Sequence, residues 1–157
     1  MKIPIKYVSG LNEKDRKLQI KSIQSSKRKY TKGEYTTRPK LKSFKSKPSK
    51  HVEKLKKMYN INQATPSNLL AQKTQCKKIG LVKIMKKGQG AYYSSGSRPS
   101  QTAHSWGIAR LASALTGGKA SGIDLDILKT YCKPNAMPLR LAQSTKQGRK
   151  KTKKVTI

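Results

Sequence analysis

Residues 88–132, GQGAYYSSGSRPSQTAHSWGIARLASALTGGKASGIDLDILKTYC, decide the fold, because no other stretch has the composition of a packed core. This stretch holds the single tryptophan, Trp106, and the apolar run Ile108, Leu111, Ala112 and Leu115, with only Arg98, Arg110, Lys119 and Lys129 as basic residues. Thr102 is placed to cap a helix over Ala103 to Leu115, since its hydroxyl can accept a free first-turn N–H. On that helix His104, Ile108, Leu111 and Leu115 share one face, while Trp106, Ala109 and Ser113 share another, so the tryptophan is expected to be buried. Gly117-Gly118 ends it. Ser121 or Asp124 then begins a short helix through Ile127, Leu128 and Tyr131.

Upstream, Thr65-Pro66 reads as a cap with proline at the first helical position. Residues 74–87 place Ile79, Leu81, Val82, Ile84 and Met85 among lysines, and Gly88 is the expected C-terminal stop. Residues 89–101 then read as a glycine- and serine-rich loop, kept extended at its end by Arg98-Pro99. Nearer the N-terminus, Asn12 followed by Glu13 and Asp15 marks a helix start, Leu18, Ile20, Ile23 and Tyr30 give it a thin apolar stripe, and Gly33 supplies its stop. Residues 31–50 alternate Lys and Arg with Tyr35 and Phe44, broken by Pro39 and Pro48, and read as extended chain. Ser49 caps a short helix with Val52, Leu55, Met58 and Tyr59 on one side, ending at Asn60.

The fold class that follows is mainly α: a small helical unit over about 65–132, long extended basic arms, and little or no sheet. The expected partition is a basic N-terminal arm at 1–62 with one or two short helices, a helical domain at 63–132, and a basic C-terminal tail at 133–157. With 34% hydrophobic and 27% charged residues among 157, there is core material for one small unit. A unit of about 70 residues buries only roughly 60% of its unfolded surface, so a partner would add to its stability.

Charge sets the class of partner. The 37 Lys and Arg against 6 Asp and Glu give +31, which repels itself and favours polyanions, acidic protein surfaces or anionic lipid headgroups. The contact candidates are Lys21, Lys27, Arg28, Lys29, Arg38, Lys40 and Lys42 on the N-terminal arm, and the block Lys146, Arg149, Lys150, Lys151, Lys153 and Lys154 on the tail. Tyr92, Tyr93, Arg98 and Arg110 join them from the glycine–serine loop and the helix after it; a bidentate guanidinium suits a phosphate or a carboxylate equally.

Catalytic and metal chemistry find little footing. His104 and Ser105 are neighbours with Asp124 and Asp126 further on, but adjacent helical residues diverge by about 100° and no nucleophile elbow accompanies them. His51, His104, Cys76 and Cys132 stand singly, without metal-ligand spacing. Reduced thiols are the default for two cysteines, with a single bridge between them left open. Gly88-Gln89-Gly90 resembles a phosphate cradle in composition only, lacking Gly-Lys-Ser/Thr and a strand to feed it. The expectation is a non-enzymatic protein with no cofactor and no small-molecule substrate. No apolar run reaches the ~20 residues of a membrane span, and the first residues lack the apolar region of a secretory signal.

The segment GAYYSSGSRPSQTAHSWGIARLASALTGGKASGIDLDIL resembles the signature block of short, lysine-rich, functionally uncharacterised proteins of large double-stranded DNA viruses of algae and amoebae. The most distinctive part is Ser97-Arg98-Pro99-Ser100-Gln101-Thr102, then Ser105-Trp106-Gly107 and Ala109-Arg110-Leu111. LNEKDRKLQIKSIQSSKRKYTKGEYTTRPKLKSFKSKPSKHVEKLKKMY is similar to that group's basic leader, and the tail beyond Cys132 lies outside the likeness. The resemblance implies a virus-encoded protein made in the host cytoplasm and carried in the virion, and it transfers no catalytic residue. The expected function is that of a minor capsid or cement protein bound to neighbouring shell proteins. The alternative is a core protein that condenses nucleic acid without sequence preference.

Overall fold

A computed structural model describes residues 1–145 and 152–157. Among them are eight α-helices and one two-stranded sheet, so the chain is mainly helical, as its periodicities indicate. The helices are α1 (Glu13–Tyr30), α2 (Lys50–Tyr59), α3 (Asn68–Thr74), α4 (Lys78–Ser95), α5 (Ala103–Leu115), α6 (Lys119–Ile123), α7 (Leu125–Tyr131) and α8 (Met137–Thr145). The strands are β1 (Lys2–Pro4) and β2 (Lys154–Thr156), paired antiparallel with Ile3 opposite Val155.

The division of the chain differs from arm, domain and tail. One unit gathers Met1–Lys47, Gln89–Trp106 and residues 152–157; the other gathers Pro48–Gly88 and residues 107–145. The chain crosses between them inside α4 and again inside α5.

In the first unit, Ile3, Tyr7, Val8 and Ile23 form a buried cluster, with Ile20, Trp106, Val155 and Ile157 packed against it. Trp106 is half-buried rather than enclosed, and meets Tyr7 edge-on at 5.8 Å. α1 starts where its cap requires: the Asn12 side chain accepts from Asp15 N–H at 2.8 Å. Its apolar stripe is thin because Gln19 replaces an apolar residue in the interior, donating to the carbonyls of Tyr7 at 3.1 Å and Ser97 at 3.2 Å. Residues 34–47 form no helix or strand, yet they are held in place. Ser43 donates through both N–H and hydroxyl to Asp15, and the Leu41 N–H donates to Ser100 Oγ at 3.0 Å.

α4 corrects the expected stop at Gly88. Two helical glycines, Gly88 and Gly90, cost together about 2 kcal/mol, but one turn on Tyr92 becomes fully buried, which contributes about as much by itself. The Tyr92 hydroxyl and carbonyl also both take hydrogen bonds from Arg38. The helix ends instead at Gly96, whose φ of +97° suits glycine and whose Cα lies where a side chain would press on Ile23 and Tyr7.

The second unit is built on Leu55, Leu70, Leu81, Ile84, Leu111, Leu115, Leu128 and Leu139, all buried. α2 has the caps read from the sequence, Ser49 accepting from Val52 N–H and Asn60 in the left-handed region. α3 is capped by Ser67 rather than Thr65, its side chain accepting from Leu70 N–H. Gly80 lies so close to Tyr131 that an added Cβ would come within 2.5 Å of the Tyr131 Cβ, which fixes the approach of α4 to α7. Cys76 and Cys132 are joined in a disulfide, correcting the default of free thiols. Their flanking residues pair as a short antiparallel bridge, with Lys77 N–H on Tyr131 O at 2.8 Å and Lys133 N–H on Gln75 O at 3.0 Å. That pairing is the reason two residues far apart in sequence meet side chain to side chain. The expected tail likewise contributes α8, which buries Pro138, Leu139 and Ala142.

Candidate polyanion-binding surface

The basic residues outnumber any local means of neutralising them. In the first unit eighteen Lys and Arg among residues 1–47, 89–106 and 152–157 face Glu13, Asp15 and Glu34, a net of +15. Glu13 pairs with Lys17 at 2.8 Å. Asp15 is engaged by Ser43, whose hydroxyl and then backbone N–H hold its carboxyl below the usual value of 3.8. Lys21, Lys27, Arg28, Lys29, Lys40, Lys42, Arg98, Lys153 and Lys154 are all exposed. Lys27, Arg28 and Lys29 occupy the last turn of α1, where cations also complement the helix dipole. Lys146, Arg149, Lys150 and Lys151 lie outside the described residues.

Three of the expected contact residues are instead committed to the interior or to an ion pair. Arg38 is 6% exposed. Its guanidinium lies over the Tyr92 ring, 3.8 Å from the centroid, and donates to Tyr92 O at 2.7 Å, Ser97 Oγ at 2.7 Å and Ser26 Oγ at 3.3 Å. Burial pushes its pKa below the ordinary value. A charge so placed is retained because an aromatic face and three oxygens replace its water. Tyr92 is 0% exposed and cannot meet a partner. Arg110, in the second unit, grips the fully buried Asp124 through Nε at 3.0 Å and Nη2 at 2.8 Å, and Lys87 reaches the same carboxylate at 3.0 Å. Asp124 therefore serves as an ion-pair partner, with no side-chain capping bond to α7.

Tyr93 remains half-exposed and belongs to a group of rings that the sequence reading only partly identified. It stacks on Tyr30 at 6.1 Å with planes 10° apart, and Tyr35 meets Tyr30 at 5.8 Å and Tyr93 at 5.2 Å, steeply inclined to both. Tyr35 is 66% exposed. The alternation of aromatics with lysines in residues 31–50 was the available signal. What it lacked was the partner ring, Tyr93, 58 residues on from Tyr35 and carried on α4.

Ser105, like Asp124, has a local role. Ser105 accepts the Thr102 N–H at 3.0 Å while Thr102 Oγ1 accepts the Ser105 N–H at 3.0 Å, a reciprocal cap at the start of α5. His104 is exposed. Among the described residues no group of three His, Cys, Asp or Glu could hold a metal ion, and no helix is long and apolar enough to cross a membrane.

A family model whose description reads family of unknown function (DUF5824) matches residues 4–130. No curated protein and no solved structure matches the chain.

Proposed function

Because the chain belongs to the family of unknown function DUF5824, which supplies no activity, we propose from its own surface that it is a non-enzymatic protein that binds nucleic acid through the phosphates, without sequence preference. The observation that carries this reading is the net charge of the first unit, +15, borne mainly by exposed Lys and Arg with Arg38 the buried exception, and with Glu13 and Asp15 already engaged within it. Each phosphate contact releases condensed counterions, so such a surface gains affinity from any nucleic acid. The likeness to proteins of large DNA viruses suggests where this would happen: in the virion, against the genome.

A minor capsid role, with the same lysines seated on acidic shell proteins, stands second. Residues 34–47 favour it, since a segment without helix or strand that exposes Lys40, Lys42, Lys45 and Lys47 can lie in a groove. The two readings separate when binding of the purified chain to DNA and to polyglutamate is measured across a salt series. The nucleic-acid reading expects log affinity for a single strand to fall linearly with log salt, with a slope near −0.7 per phosphate contacted. It also expects the quadruple change Lys27→Glu, Arg28→Glu, Lys29→Glu and Lys32→Glu to abolish most of the affinity. Polyglutamate bound as tightly as DNA would transfer the proposal to acidic proteins.

A further inference from the structure

We infer that Tyr35, backed by Tyr30 and Tyr93, is a stacking platform for the unpaired bases of a single-stranded nucleic acid; this rests on the phosphate-binding reading above and narrows its ligand. The turn that follows α1 is tightly determined: Lys32 N–H donates to Lys29 O at 2.9 Å, Gly33 N–H to Tyr30 O at 3.0 Å, and Glu34 N–H to Lys29 O at 3.0 Å. Gly33 adopts a φ of +78°, which reverses the chain and carries Tyr35 back onto the other two rings. The outcome is a ring fixed from behind by two neighbours while the residue remains 66% exposed. A tyrosine needed only for packing would gain more from burial. Here the inner rings take the packing and the outer one is left facing solvent.

The surrounding charge selects the partner. Lys27, Arg28, Lys29 and Lys32 are exposed within the same helix end and turn, against the single carboxylate of Glu34. An aromatic face beside cations is the combination that takes a base and its phosphates together, and it is indifferent to base identity because every base has a π-face. A duplex keeps its bases stacked on each other and offers only phosphates. An Asp or Glu side chain offers charge with no planar ring attached to it, whereas every nucleotide carries both.

The experiment compares three probes of equal phosphate number at one salt concentration, using the full chain: a single DNA strand of about 20 nucleotides, longer than one binding site, the same strand with abasic linkers, and a duplex. Tyr35→Ala, at an exposed position, is expected to weaken binding of the base-bearing strand about 10-fold while leaving the abasic strand and the duplex unchanged; Tyr35→Phe should restore it. Wild-type protein binding the base-bearing and abasic strands equally, with Tyr35→Ala silent on both, would overturn the platform and leave the phosphate reading intact. Absence of binding to all three at low salt would overturn both.

Discussion

Arg38 is held by four hydrogen bonds and the face of Tyr92. It sits in a stretch, TTRPKLK, where every neighbouring cation is exposed, and it alone turns inward. Replacing it with alanine would strip Tyr92 O, Ser97 Oγ and Ser26 Oγ of their donor and leave an aromatic ring facing a void. Leaving buried acceptors unpaired costs about 1–3 kcal/mol, so Arg38→Ala should lower unfolding stability by about 2 kcal/mol in a urea titration. A loss within the scatter of exposed substitutions, about 0.5 kcal/mol, would mean that the guanidinium is not held as described. Sequence alone gave no reason to set Arg38 apart from Lys40 and Lys42, because its acceptors come from α1, from α4 and from the segment after α4. The charge itself was legible; its direction was not.

At the scale of elements, the helix starts were the readable part. Asn12, Ser49 and Thr102 each cap the helix that follows them, because a cap is a bond between a side chain and an N–H three residues on. Helix ends depended on longer-range contacts. Gly88 had the local marks of a stop, but burial of Tyr92 a turn later outweighed them; Thr65 lost its role as cap to Ser67, two residues on. The start of α1 has a further dependence on pH. Asp15 receives both donors of Ser43, and its folded pKa lies below the unfolded value of 3.8, so the folded state binds the proton less readily. Its contribution is complete above that unfolded value and fades as pH falls through the lower folded one. Nuclear magnetic resonance of the Ser43 amide should therefore show its bond to Asp15 lost in acid, and Asp15→Asn should remove that titration. An amide that shifts equally in both proteins would refute the link.

For the whole molecule, the disulfide matters most. Cys76 and Cys132 are 56 residues apart, and the ring they close contains residues 89–106, the middle stretch of the other unit. Cross-linking a loop of that length removes chain entropy from the unfolded state worth about 4 kcal/mol. Reduction, or the double change Cys76→Ser and Cys132→Ser, is expected to lower the denaturation midpoint accordingly, and an unchanged midpoint would count against the bond's contribution. Two cysteines without metal or redox spacing could not announce this, since the pairing rests on backbone hydrogen bonds between residues 75–77 and 131–133.

The pairing of β1 with β2 also bears on the order in which the protein can take shape as it is made. Ile3, 1% exposed in the finished fold, has its cross-strand neighbour at Val155. Translation proceeds at roughly 5–20 residues per second, so the N-terminal strand waits on the order of 10 s for its complement. During that wait Ile3 lacks its cross-strand cover and the backbone of residues 2–4 lacks its hydrogen-bond partner, the kind of open edge that recruits other nascent chains. Lys2, Pro4 and Lys6 surround Ile3 and Ile5. A cation on either side and a residue without an N–H between them make a poor template for a stranger, and Lys154 and Thr156 bracket Val155 on the strand that eventually arrives.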